Sequence, residues 1–307
     1  MINCAIGRGQ DAGMEVIRAA IEKQVLSLTG LALGGIDFEN PAGDPGLFGP
    51  QSVTWQVHGD FTSMLCGGVS ALLLQMLHPL ALAGVWDHSN FREDMLGRLR
   101  RTSQFISVTT FGPSAEAQRL IAKVKAIHLQ VNGTDNNGQP YAASDPHLLT
   151  WVHVAESSRF LASHLRYRNP QLSLAQQDTY YREAARVAEA LGARDVPKSC
   201  AAVVDYLHQM RPQLVCDERT LEVARILLAA PAPSALARPF GALVMQAGID
   251  LLPDWAQQQL GFTPGAMRRR CVRIGVGGVG RVLRASVRNG SYHRAMRRMK
   301  KSAPVQC

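Results

Sequence analysis

The stretch RLRRTSQF sets Arg98, Arg101, Thr102 and Phe105 at i, i+3, i+4 and i+7, which puts two cations and a hydroxyl on one helical face. Arginines are usually solvated, so this spacing fits both a surface face and a site for an anionic carboxylate. Further along, Ala117, Leu120, Ile121, Val124, Ile127, His128 and Val131 share an apolar stripe opposite Arg119, Lys123 and Lys125. A histidine on such a stripe is either a core residue bonded to a carbonyl or a metal ligand, and the stripe alone leaves both open for His128. His78, just before Pro79, could bond a freed backbone carbonyl, and His88 fits ordinary loop chemistry; each is also a candidate to touch a site. His153 and Glu156 stand at i, i+3, as in one half of a di-iron bundle, but no convincing second Glu-x-x-His accompanies them. Finally, RIGVGGVGRVL contains Gly275-Val276-Gly277-Gly278-Val279-Gly280, the letters of a dinucleotide-binding turn. That turn needs a strand before it and an acidic residue roughly 20 positions after it. No Asp or Glu follows Asp254, and 27 residues after Gly280 are too few for the remaining strands. A flexible break between helices, or the close packing of a neighbouring backbone, is the expectation there.

The elements that must position these residues are mostly helical, because runs with a 3.6-residue period dominate and alternating β-branched segments are short. Helices are expected over 13–30, 61–84, 90–105 with Asn90 as cap, and from Ser114 through Val131. NGTDNNGQPYAASDP reads as a turn-rich loop ending in an Asp145 cap with proline at the first helical position. Further helices follow at about 147–166, 174–191, 199–213, 217–229 and 235–250, with APAPS as a hard break before the last. The chain divides into an N-terminal helical segment (1–54), a central helical domain (55–262) and a basic C-terminal tail (263–307).

With 46% hydrophobic and 19% charged residues the chain can bury a full core. The six cysteines, Cys4, Cys66, Cys200, Cys216, Cys271 and Cys307, show no Cys-x-x-Cys spacing, which argues against a zinc cage or disulfide scaffold. The first twenty residues lack a continuous apolar run, so a cytoplasmic setting is expected. Phe61 to Trp86 runs 26 residues without a formal charge, but Gln75, His78 and Pro79 at its middle favour a buried core helix over a membrane span. The net charge of +9 is concentrated late: residues 255–307 hold 12 Lys or Arg and no acid. Arg294, Arg297, Arg298 and Lys301 recur at helical spacing, a face suited to solvent, to anionic lipid or to an acidic partner. Nucleic acid is not expected, since aromatic residues do not interleave with these arginines apart from Tyr292.

Four segments in this order, LLQMLHPLALAGVWDHSNF, RLRRTSQF, TTFG and IHLQVNGTDNNGQPYAASDPHLLTWVH, resemble the family of the latex clearing protein, or rubber oxygenase, and the fungal oxygenase of mycophenolic acid biosynthesis. The resemblance spans about residues 55–260, and LLPDWAQQQLGF at Leu251–Phe262 is similar to the family's C-terminal signature. It implies an all-α fold, globin-related in its core, enclosing one non-covalent haem b. It implies that His128 is the iron ligand and that Arg98 and Thr102 serve haem binding and activity; His78 is a further cofactor-side candidate. Arg101 stands where family members carry a lysine that approaches the distal side of the iron, and a guanidinium is a poor metal ligand. The implied reaction adds dioxygen to a hydrophobic small molecule, with cleavage of a carbon–carbon double bond. From another class, a non-catalytic haem carrier or sensor, and a helical scaffold whose basic tail docks to a membrane, use the same residues.

Overall fold

The computed structural model describes residues 3–27, 29–232, 234–235 and 237–301, with backbone alone for 3–14, 30 and 32. The architecture is mostly helical and forms a single body. Its centre is α3 (Phe61–Gln75), flanked by α7 (Pro146–Tyr167) and α11 (Arg238–Leu251). Both neighbours approach closely because glycines stand at the crossings. A Cβ on Gly67 of α3 would lie 3.0 Å from the Arg159 carbonyl oxygen of α7, and one on Gly248 of α11 would overlap the Val69 side chain of α3. Polar side chains tie the three helices together: Ser163 Oγ of α7 donates to the Ser63 carbonyl of α3 at 2.7 Å, and Arg159 Nη1 of α7 donates to the Leu251 carbonyl of α11 at 2.7 Å.

The expected single helix over 61–84 is two helices. Pro79 has no N–H to donate and turns His78 away from helical geometry (φ −83°, ψ 115°), so α4 (Pro79–His88) leaves α3 at 105°. Trp151 Nε1 donates to the Gln75 carbonyl at 3.0 Å, closing the end of α3. Among the described residues no single helix is long and apolar enough to cross a membrane; only this bent pair has the length and composition.

Asp94, rather than Asn90, caps α5 (Met95–Phe111) by accepting from Gly97 N, and α6 (Ser114–His128) follows Pro113. The segment expected as a loop contains a hairpin, with Asn132–Thr134 paired antiparallel to Pro140–Ala142. The Asp145 cap with Pro146 and the Ser173 capping box of α8 (Leu174–Leu191) start their helices where sequence places them. After α9 (Cys200–Met210), α10 (Glu218–Leu228) and α12 (Asp254–Gln259), the chain returns along α13 (Ala266–Ser286) and α14 (Ser291–Lys300).

The RIGVGGVGRVL segment lies wholly inside α13, so the helix break expected there does not exist. Close approach does occur at Gly275, where a Cβ would lie 3.2 Å from Leu243 Cδ1. Helix rather than strand runs into these glycines, and the helical backbone has no turn in which to hold a phosphate.

The cationic face expected on the tail is largely consumed within the molecule. Arg298 is fully buried and donates to the carbonyls of Asp44 (2.7 Å) and Phe38 (2.8 Å), while Arg297 and Lys301 pair with Glu39. Tyr292 and Ala295 of α14 pack beside Trp55 and Phe111. Buried Glu22 of α1 (Asn3–Ser27) accepts from the backbone N–H of Arg288 and Asn289, joining both ends of the chain. Cys66, Cys200, Cys216 and Cys271 are free thiols; Cys307 and the Cys4 side chain lie outside the described residues.

Candidate active site

A cavity of about 880 Å³ opens beside α3. Its walls are Leu65, Val69 and Leu72 of α3, Leu99 and Ile106 of α5, and Phe160 of α7, joined by residues of α11 and the end of α13. This volume lies at the upper end of the range for cofactor and small-molecule sites, whose linings are mostly apolar with a few convergent polar groups. Segments at the two ends of the chain complete it: Val25 and Leu31 on one side, Val287 and Tyr292 on the other.

Three groups on one face of α7 reach the cavity, Glu156, Phe160 and His164, spaced i, i+4, i+8. Glu156 makes no hydrogen bond or ion pair with any described residue, and burial pushes its pKa up to about 7. The side chain is half-buried and lines the cavity. His164 is 1% exposed, and neither ring nitrogen has a partner; the Val57 carbonyl lies near it without a hydrogen bond of good geometry. Burial lowers its pKa, keeping the imidazole neutral.

His58, at the end of α2 (Val53–His58), also lines the cavity but has both nitrogens engaged. Nδ1 lies 2.9 Å from Thr110 Oγ1 and Nε2 3.0 Å from the Tyr180 hydroxyl. Burial, reinforced by nearby His164 and His153, lowers its pKa to about 3, so the ring donates through one nitrogen and accepts through the other. Asp60 caps α3 through Ser63 N and binds Arg284 of α13 at 2.8 Å, which fixes the end of α13 at the cavity wall. Trp55 Nε1 and Thr62 Oγ1, on the same wall, are buried without protein partners. Unpaired buried polar atoms are uncommon in proteins, and their concentration around one cavity marks a place equipped to hydrogen-bond a guest.

Of the residues singled out from sequence, Thr102 lines this cavity; Arg98, Arg101, His78 and His128 do not. Arg98 is half-buried and donates to Ser89 Oγ at 2.6 Å without any carboxylate partner, and burial lowers its pKa. Arg101 points to solvent, 3.4 Å from the Asp94 carboxylate. His128 ends α6, half-buried, with Nδ1 enclosed and unpartnered and its pKa lowered by burial. The apolar stripe leading to it is buried only in its first half, at Ala117 and Ile121; Ile127 is 50% exposed. His78 is buried against Trp151 and has its pKa lowered to about 4 by desolvation, while His88 bonds the Asn132 carbonyl at 3.1 Å on the surface. His153, one turn before Glu156, is held neutral by burial with a pKa of about 4. Among the described residues no three His, Cys, Asp or Glu side chains gather as a metal group, so the His153–Glu156 pair has no further ligands beside it.

Sequence reasoning missed His58 and His164. The i, i+4, i+8 spacing of Glu156, Phe160 and His164 was the available signal for the latter; His58 meets Thr110 and Tyr180 only through the tertiary fold.

No curated protein and no solved structure matches the chain. A family model described as "ER-bound oxygenase mpaB/B'/Rubber oxygenase, catalytic domain" matches residues 55–285, a stretch that includes α3, α5, α7 and α11 around the cavity. The chain therefore belongs to the mpaB and rubber oxygenase family, whose members imply an oxygenase that brings dioxygen to an organic substrate.

Proposed function

We propose that the chain is a haem b-dependent oxygenase acting on a hydrophobic small molecule, with dioxygen as co-substrate and cleavage of a carbon–carbon double bond as its reaction. The observation that carries this reading is the large, mostly apolar cavity whose principal walls belong to the oxygenase-matched region. Part of the lining suits haem: the walls are apolar, Thr102 offers a hydroxyl and buried His164 holds two unpartnered ring nitrogens; half-buried His128, with Nδ1 unpartnered, and Arg98, a desolvated cation without a carboxylate, stand outside that lining. Bound haem would supply the iron that activates dioxygen. In this reading the fold is globin-related, His128 ligates the iron as the family resemblance assigns, and Arg98 and Thr102 hold the cofactor's carboxylates. His164 is the second candidate ligand.

An absorption spectrum with pyridine extraction tests the proposal. Protein expressed with ample haem should show a Soret band, and its absence sinks the haem assignment. His128→Ala should abolish that band while His164→Ala retains it; the reverse pattern moves the iron to His164.

A membrane contact belongs to this reading through α13 rather than α14. Met267, Ile274 and Val282 are 73%, 65% and 52% exposed along α13, beside Arg268, Arg270 and Arg281, which carry no ion pair among the described residues. An apolar ridge between unpaired cations fits an anionic bilayer met from the cytoplasm. Co-sedimentation with anionic but not zwitterionic vesicles, lost on Arg268→Glu with Arg270→Glu, is the expected result; equal behaviour on both lipids removes the contact.

A further inference from the structure

We infer that Glu156 sets the class of substrate the cavity admits: an otherwise apolar compound that presents a hydrogen-bond donor, an alcohol or an amine, to this carboxyl, while a compound that presents a carboxylate to it is refused. The inference rests on the cavity being the substrate site. Glu156 reaches a wall it shares with Phe160, Leu65, Val69 and Leu72, and no described residue bonds it. None of the other polar groups of the cavity bonds it, and several are committed elsewhere. His58 holds Thr110 and Tyr180 through its two nitrogens, Asp60 holds Ser63 and Arg284, and His153 is neutral. His164 and Arg168 follow on α7, about 12 and 18 Å further along the helix axis. Arg159, one turn further on α7, turns its guanidinium to the Leu251 carbonyl, so among the described residues no cation pairs with Glu156 to cancel a second negative charge.

A carboxylate isolated in an apolar enclosure has lost most of its hydration without gaining a partner. A guest that donates a hydrogen bond or carries an ammonium restores what burial removed, and its own apolar body gains from leaving water. A guest ending in a carboxylate instead sets two like charges side by side, which disfavours it. A site built around one buried polar group discriminates more sharply than an apolar pocket can, because the wrong guest leaves that group unpaired.

Octan-1-ol, octylamine and octanoate share one apolar chain and differ at the end Glu156 would meet. Calorimetric titration at pH 8 should show the alcohol and the amine binding at least tenfold more tightly than octanoate to the wild-type protein. In Glu156→Gln, which keeps the shape and loses the charge, octanoate should gain at least tenfold. In Glu156→Leu the alcohol and amine should fall to the level of octanoate. Thermal melts of the three proteins confirm folding. An unchanged rank order across them, octanoate as the best wild-type ligand, or no binding of any probe overturns the inference. Spectra of the same preparations separate it from the haem reading. A Soret band with a ranking indifferent to Glu156 defeats this inference alone, whereas a Glu156-dependent ranking in a protein that never takes up haem defeats the other.

Discussion

Replacing Glu156 by Gln should make the protein more stable, and only on the alkaline side. The carboxyl has its pKa raised from 4.5 to about 7 by burial. Between these values the native protein keeps a proton that the unfolded chain has released, so stability falls as pH rises through the window. Each pH unit of displacement is worth about 1.4 kcal/mol, which sets a ceiling of about 3 kcal/mol above pH 7. Water that reaches the carboxyl through the cavity softens this, and we expect about 2–3 kcal/mol at pH 8. Gln has the same shape and cannot ionise. Urea unfolding of both proteins should give equal stabilities near pH 4.5 and the full difference at pH 8, or roughly 4–8 °C in melting temperature. Histidines titrating in the same range contribute equally to both proteins and cancel. Equal stability at pH 8, or the same gain at both pH values, would refute the isolated carboxyl.

The remaining predictions concern the frame around the cavity. His58, with a pKa of about 3, and His78 and His153, each about 4, are held neutral in the fold below their ordinary value of 6.5. The unfolded chain takes up those protons first, so stability should fall as pH drops from 6.5 towards 4, and His58→Gln should make the decline less steep by about one proton in urea titrations at several pH values. Gly248→Ala should cost about 1–3 kcal/mol in chemical denaturation, because its methyl group would overlap Val69 and force α11 off α3. Asp250 is 3% exposed and binds Arg273 at 2.8 Å and Arg166 at 3.1 Å. Asp250→Asn should cost about 2–3 kcal/mol by the same assay, less than a fully buried pair since both arginines keep access to water.

What sequence revealed follows from the range of the forces involved. The starts of α7 and α8 were legible because Asp145-Pro146 and the Ser173–Gln176 pair act on backbone groups within a turn of themselves. The break at His78–Pro79 was equally local, yet the uncharged composition of the whole stretch pointed to one helix. For His128 the stripe predicted burial, but periodicity says which side chains share a face, and whether a neighbour covers that face at Ile127 is settled by the fold. The arginines of α14 read as a solvated or lipid-facing stripe because nothing in their spacing announces Glu39 or the carbonyls of Phe38 and Asp44, more than 250 positions away. Glu156 was visible as half of a possible metal pair; its solitude was not, since a missing partner is a property of the surroundings.

The burial of Arg298 bears on how this protein would behave if shortened. Its guanidinium fastens α14 to the loop around Phe38 and Asp44, and α14 in turn presents Tyr292 to the cavity. A version cut to residues 55–285 would retain the helices that define the family yet lose the Val25, Leu31, Val287 and Tyr292 portions of the wall. It would bind as an open trough, tolerant of longer guests and leaky to water, so the tail works here as a stopper whose fit decides how selective and how dry the cavity is.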